Sequence, residues 1–240
     1  MDEPLYYDLH IHSCLSPCGD DDMTPANIVG MSALKGLDVI AVTDHNSCRN
    51  CPAVLDAAAQ HGLTALPGME LCTMEEVHVV CLFARLEDAM DFDAYVYPHI
   101  LPIDNDETLF GHQYYYDSDD RIIGTEPRLL ISATDIPFSD VYDLVARYHG
   151  LMIPAHIDKS STSLLSNLGF VPPDSQFTCF ELKNLATLHQ VRRANPYLEH
   201  CRVITDSDAH YLEHINEPEH TILCPDRSPE AILHTLSQME

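Results

Sequence analysis

Short apolar runs alternate with amphipathic runs along almost all of the 240 residues. Leu5–Ile11 reads as a strand. Thr24 then offers a helix N-cap with Pro25 at the first helical position, and Gly36 ends that helix after Lys35. Leu37–Thr43 reads as a second strand, followed by a helix over 52–61 that stops at Gly62. Thr64–Leu66 and Val77–Phe83 are further strands, the latter almost wholly apolar, as in a sheet buried on both faces. A helix over 139–149, a strand at Leu151–Ala155, a short helix near 161–168 and a strand at Thr178–Leu182 follow. A helix near 188–198, a strand at Arg202–Thr205 and a last helix from Pro229 complete the series. This alternation predicts an α/β fold with a parallel sheet, either doubly wound or closed into a barrel. Pro98–Pro137 breaks the rhythm. It is acidic, rich in Tyr and Pro, and holds the runs Tyr114–Tyr116 and Asp117–Asp120, so it reads as an inserted hairpin or lid within one domain spanning 1–240.

Composition adds limits. A 45% hydrophobic content is ample for a core. The longest apolar runs are strand-sized, so no transmembrane helix is expected. The acidic start, Met1-Asp2-Glu3-Pro4, lacks the basic region of a secretion signal, and nine Cys is an odd number. Reduced thiols and a cytoplasmic location are the expectation. With 12 Lys+Arg against 38 Asp+Glu the net charge is −26. Such a surface repels phosphate backbones, which disfavours duplex nucleic acid and anionic membranes as partners. The 15 His, beside so many carboxylates, are raw material for divalent-metal sites.

Position sharpens that hint. Asp8, His10 and His12 fall at i, i+2 and i+4 of the first strand and share one face. Three ionisable groups there are costly to bury without a cation, so His10 and His12 are candidate metal ligands. Asp8 is the candidate to fix an imidazole tautomer by accepting its other N–H. Thr43-Asp44-His45, Gly68-Met69-Glu70, His156, Asp208 and His210 then each follow or end a strand. In parallel α/β folds the C-terminal strand ends form the site face, so these groups are expected to converge. His78 falls inside its strand, where a core imidazole and a ligand are both open readings. Cys14, Cys18, Cys48 and Cys51, with C-x3-C and C-x2-C spacing, offer a rival four-thiolate zinc site.

Asp8-Leu-His-Ile-His-Ser, Thr43-Asp-His, Gly68-Met-Glu, Pro154-Ala-His and Ser207-Asp-Ala-His, in that order, resemble the successive motifs of the polymerase and histidinol phosphatase (PHP) family. The resemblance implies a distorted (β/α)7 TIM-like barrel with two or three divalent metals (Zn, Mn or Fe), hydrolysing phosphoesters through a metal-bridging hydroxide. It gives one metal His10, His12, Glu70 and Asp208, and a second Glu70, His78 and His156. A third would take His45, His210 and a residue of the loop after the first strand. Cys18 is nearest to the required spacing there, with Asp20 next, and a thiolate favours zinc or iron over magnesium. Asp44, Asp206 and His210 are the candidate catalytic or supporting groups. Lys159, Arg49 and Arg128 are the candidate phosphate contacts. The expected substrate is a small phosphorylated metabolite, such as histidinol phosphate or a nucleotide. A phosphodiesterase or exonuclease on short oligonucleotides, with Tyr114–Tyr116 stacking bases, is the alternative. A non-catalytic, metal-stabilised interaction module is the second alternative. The number of subunits is left open by the sequence.

Overall fold

The structure, a computed structural model, describes residues 2–239. Its elements in chain order are β1 (Glu3–Ile11), α1 (Pro25–Lys35), β2 (Val39–Val42), α2 (Cys51–His61), β3 (Thr64–Cys72), β4 (His78–Leu82) and α3 (Leu86–Val96). Then come α4 (Glu107–Phe110), β5 (Tyr114–Tyr116), β6 (Ile122–Thr125), α5 (Phe138–Arg147), β7 (Leu151–Pro154) and α6 (Leu164–Asn167). The last are β8 (Cys179–Glu181), α7 (Leu188–Ala194), β9 (Arg202–Ile204), β10 (Thr221–Cys224) and α8 (Pro229–Ser237). Local chemistry explains the boundaries. At α1 the Thr24 hydroxyl accepts the Asn27 N–H, Pro25 enters with its φ already helical, and Gly36 leaves at φ 84°, where a side chain would be strained.

The sheet is mixed, not wholly parallel as the alternation predicts. Six strands run in the order β10-β1-β2-β3-β4-β7. β1, β2 and β3 are parallel, whereas β10 opposes β1 and β4 opposes both β3 and β7. The cause is the link 73–77, which is too short for a crossover and turns β4 straight back along β3. β8 and β9 form a separate parallel pair. One main-chain bond ties this pair to the β7 side (Ile157 N–H to Glu181 O, 2.9 Å) and another ties the loop after β9 to β1 (His12 N–H to Ala209 O, 2.9 Å). The result is a curled half-barrel, and the six-stranded ladder does not continue through β8 and β9 as a closed (β/α)7 barrel would require.

No element is expected from the pattern at 84–97, yet α3 is there. Its buried Ala89, Phe92 and Val96 have the i, i+3, i+7 spacing of one helix face, a signal masked by four acids in eleven residues. Phe92 packs tilted against Phe83 (centroids 5.2 Å) in the largest core cluster, and burial of such rings is worth about 1.5–3 kcal/mol each. β10 also lies outside the expected elements. Among the described residues no helix is long and apolar enough to cross a membrane.

Between α3 and α5 the chain makes α4 and the β5–β6 hairpin, which forms its own two-stranded sheet. The hairpin docks on the loops leaving β1 and β2. Tyr114 N–H donates to Cys14 O (3.1 Å), and Asn50 bridges Tyr114 O and Tyr116 N–H (3.0 Å each). Glu126, with a side chain only 1% exposed, gathers Arg49 (3.2 Å), the Tyr97 hydroxyl (2.9 Å), the Tyr115 hydroxyl and Arg128 N–H (2.9 Å). The Arg49 guanidinium lies over the rings of Tyr97 and Tyr115 at 4.8 and 5.1 Å. Glu126→Ala strands these donors and is expected to cost about 2 kcal/mol. Limited proteolysis is expected to show faster cleavage within 111–126, and an unchanged digestion pattern would refute the anchoring role.

Candidate metal centre

The strand directions collect the polar residues at one end of the sheet. Glu70 lies near the end of β3, and His12, His45 and His156 just beyond β1, β2 and β7. His78 is the first residue of β4, and because β4 runs backwards its beginning lies beside the ends of its neighbours. His78 therefore stands in the polar cluster rather than in the apolar core. Gly68 allows the close approach that brings Glu70 inward, since a Cβ there would stand 2.9 Å from both Leu82 and Thr43.

Five imidazoles surround the buried Glu70 carboxylate. Oε1 is 2.9 Å from His78 Nδ1, 3.1 Å from His156 Nε2 and 3.2 Å from His10 Nε2. Oε2 is 2.9 Å from His45 Nδ1 and 3.4 Å from His12 Nε2. Asp208 Oδ1 approaches His12 Nε2 (3.3 Å) and His10 Nε2 (3.6 Å), and its Oδ2 meets Lys159 Nζ (3.0 Å). Burial raises the Glu70 pKa, but the imidazoles of His78, His10 and His45 outweigh it and hold the carboxyl well below its usual range. Asp208 is likewise held low, with His10 and His12 overcoming the effect of burial. His156 (φ 29°) and Asp208 (φ 53°) adopt left-handed backbone, a strain of about 1–3 kcal/mol each that concentrates at functional sites.

Tracing protons shows that cations fit here. The Ser16 hydroxyl gives its one proton to Asp44 Oδ1 (2.7 Å), so it accepts from His12 Nδ1–H (2.9 Å). His10 Nδ1–H in turn donates to Glu181 Oε2 (2.8 Å). With both rings neutral, as metal binding requires, the two Nε2 atoms are bare lone pairs, and they face each other at 3.2 Å amid carboxylate oxygens. His45 Nδ1 and Glu70 Oε2 are close but not aligned as donor and acceptor, and His156 Nδ1 has no hydrogen-bond partner among the described residues. Acceptors crowded together in a buried site are unfavourable alone and suited to divalent ions. Three sets of donor atoms lie within 4.8 Å of one another: His10, His12 and Asp208; His45, Glu70 and His78; and His12, His45 and His210.

The other sequence candidates take varied places. His210 is at the mouth, stacked on His12 (centroids 4.3 Å), with Nδ1–H donating to Asp208 O (2.8 Å). Cys18 Sγ is 3.1 Å from His210 Nε2, but Cys18 belongs to none of the three donor sets. Asp8 does not touch an imidazole nitrogen as expected. Its oxygens accept Ser207 N–H and Asn216 N–H (3.0 Å each), and Glu181 holds His10 instead. Asp44 is saturated by Ser13 N–H, Ser13 Oγ–H and Ser16 Oγ–H, and burial pushes its pKa up to about 6, so it anchors the β1 loop rather than facing a substrate. Asp206 accepts Leu9 N–H (2.6 Å) beneath the cluster. Arg49 and Arg128 serve the insertion: Arg49 pairs with Glu126, and Arg128 donates to Tyr97 O (2.6 Å), a correction to their expected phosphate role. The four cysteines do not assemble. Cys48 and Cys51 both point at Gly68 O (3.2 and 3.5 Å), whereas Cys18 faces His210. Sequence reasoning missed Glu181, Ser16 and Lys183. Glu181 stands on a strand as part of Phe180-Glu181-Leu182, where a lone acid between apolar neighbours was an available signal.

Comparisons with known proteins agree with this geometry. A sequence model of the PHP domain matches residues 8–161, more than half of the chain. The 5'-3' exoribonuclease Rnm of Salmonella typhimurium is 32% identical over 83 residues, covering 32% of this chain and 27% of that protein. The lesion-specific endonuclease PfuEndoQ from Pyrococcus furiosus superposes with a TM-score of 0.68 at 18% identity, over 98% of this chain and 56% of its own. A Bifidobacterium adolescentis protein described as a metal-dependent phosphoesterase gives a TM-score of 0.61 at 17% identity, over 96% and 97% of the two chains. The two structural likenesses establish the fold, and the chain spans only part of the exoribonuclease and of the endonuclease. With the matched motifs lining a buried His and carboxylate cluster suited to divalent ions, the chain belongs to the PHP-domain family.

Proposed function

We propose that the protein hydrolyses a terminal phosphoester of a small substrate, a phosphomonoester of about nucleotide size, using two or three divalent ions (Zn, Mn or Fe). The observation that carries the reading is the shape of the site. The Glu70 cluster is buried, and its Asp208 edge opens into a cleft of about 500 Å³, a volume that suits a small molecule. His10, His12, His45, Glu70, His78, His156, Asp208 and His210 would hold the ions, with Cys18 beside His210 as an added donor. Bound ions supply an activated water and charge stabilisation on the phosphoryl oxygens. The chain's own residues do the rest. Lys159, on the Asp208 carboxylate, turns an ammonium toward a phosphoryl oxygen. His210, one quarter exposed at the mouth, is within reach of the leaving group. Ser16 and Glu181 fix the tautomers of His12 and His10, so that Nε2 faces inward in both.

A second reading has its own support: a phosphodiester at the end of a short strand. Rnm, the relative with the 83-residue match, is a 5'-3' exoribonuclease. Endonuclease Q, which shares this fold, is described in complex with a 27-mer duplex with an abasic lesion at its active site, so the fold itself does not exclude a duplex. Initial rates on phenyl phosphate, nucleoside monophosphates, bis(p-nitrophenyl) phosphate, 5'-phosphorylated oligonucleotides and a lesion-bearing duplex, with Mn²⁺, Zn²⁺, Fe²⁺ or EDTA, separate the readings. The first expects the monoesters to lead and EDTA to silence them. Preference for the oligonucleotides would replace it with the second. Lys159→Ala is expected to lower kcat/KM for the preferred substrate about 10- to 100-fold, the usual worth of a charged hydrogen bond. An unchanged value removes Lys159 from the site.

A further inference from the structure

One wall of the cleft beside Asp208 extends beyond the groups that would hold the ions. Lys183, His214, Asn216 and His220 line it, together with Thr205–Ser207 and Asp208. The acids at this place are already engaged: Asp206 accepts Leu9 N–H, and Asp208 is paired with Lys159. One cation lacks such a partner. Lys35 pairs with Glu217 and Lys159 with Asp208, but the ammonium of Lys183 donates to the main-chain oxygen of Ser207 and, among the described residues, has no carboxylate within ion-pair distance. An ammonium has three N–H donors, so two remain for a ligand. In a chain with 38 acids and 12 bases, an ammonium with donors to spare on a cleft is a rare contact for an anion. Lys159 reaches Asp208 and Lys183 reaches Ser207, so the two ammonium groups contact adjacent residues of the loop after β9.

We infer that this wall binds a second anionic group of the substrate, a phosphate or a carboxylate set apart from the scissile phosphate, with Lys183 as its main contact. The inference rests on the phosphoesterase reading above, and it narrows the substrate to a doubly anionic one. His214, Asn216 and His220 supply further hydrogen-bonding groups around the same position.

Calorimetric titration of the protein, purified with its own metals, tests this with unreactive probes. Benzylphosphonate carries one anion. 1,4-Phenylenebis(methylphosphonate) adds a phosphonate, and 4-carboxybenzylphosphonate adds a carboxylate. The wild type is expected to bind at least one doubly charged probe about tenfold more tightly than benzylphosphonate, the gain of one charge-assisted contact. Lys183→Gln is expected to bring that ratio near one, and Lys183→Arg to keep most of it. The probe that gains more tells which anion the wall prefers. No preference in the wild type, or an equal preference in Lys183→Gln, overturns the inference. Because the probes are not hydrolysed, a failed phosphoesterase reading shows separately, as a lack of metal-dependent turnover while the preference persists.

Discussion

Glu70→Ala is expected to abolish hydrolysis and to leave the protein largely free of metal. Glu70 is the one carboxylate that approaches the nitrogens of His10, His12, His45, His78 and His156. Without it, the lone pairs of several imidazoles face each other with no anion between them to hold two cations close. A loss of several kcal/mol of transition-state stabilisation corresponds to about 10⁴-fold or more in rate. Glu70→Gln separates charge from shape. It fills the same space and can still hydrogen-bond, yet it is expected to lose nearly as much, because the amide carries no charge. Steady-state rates and elemental analysis of both variants check this. Substantial activity in Glu70→Gln would show that the residue merely packs the site.

Chelation is expected to lower the melting temperature by about 10 °C. An ion present at a thousand times its dissociation constant adds about 4 kcal/mol per site, and 1 kcal/mol moves Tm by about 2–4 °C in a domain of this size. Removing it returns His10 Nε2 and His12 Nε2 to an unfavourable contact at 3.2 Å within a buried site. Melts of the protein before and after EDTA treatment, and again after the metal is restored at fixed pH, read the effect. A Tm that does not move would mean that protons alone satisfy the cluster.

The site was far more legible in the sequence than the sheet that builds it. The residues of the cluster announce themselves through a hydrophilic pair on an apolar strand, as His10 and His12 do, or through an acid or imidazole shortly beyond one, as His45 and His156 do. Strand direction leaves no such mark. The run Val77–Phe83 reads identically whether the strand goes forward or back, and only the short link 73–77 carries the answer. The supporting residues were harder still. Whether Asp8 or Glu181 holds His10 depends on which strand faces which across the fold, a long-range fact that spacing along one strand does not contain. The arginines were misplaced for a similar reason: a cation near a ligand motif suggests phosphate, whereas Glu126, far along the chain, had claimed Arg49.

The junction between β1 and the β8–β9 pair has a consequence for motion. Much of what crosses it is made by side chains: Glu181 to His10, Asp206 to Leu9 N–H, and Asp8 to Ser207 and Asn216 N–H. Main-chain ladders exchange their amide hydrogens slowly because many bonds must break together, but contacts of this kind can open singly. Amides of 179–182 and 202–209 are therefore expected to exchange faster than those of the six-stranded sheet, although Cys179–Glu181 are as buried as the central strands. Glu181 lies in that layer and Asp208 at its edge. The same fluctuation that lets solvent reach these amides would loosen two residues at the metal centre, giving ions a route in and out without unfolding the sheet.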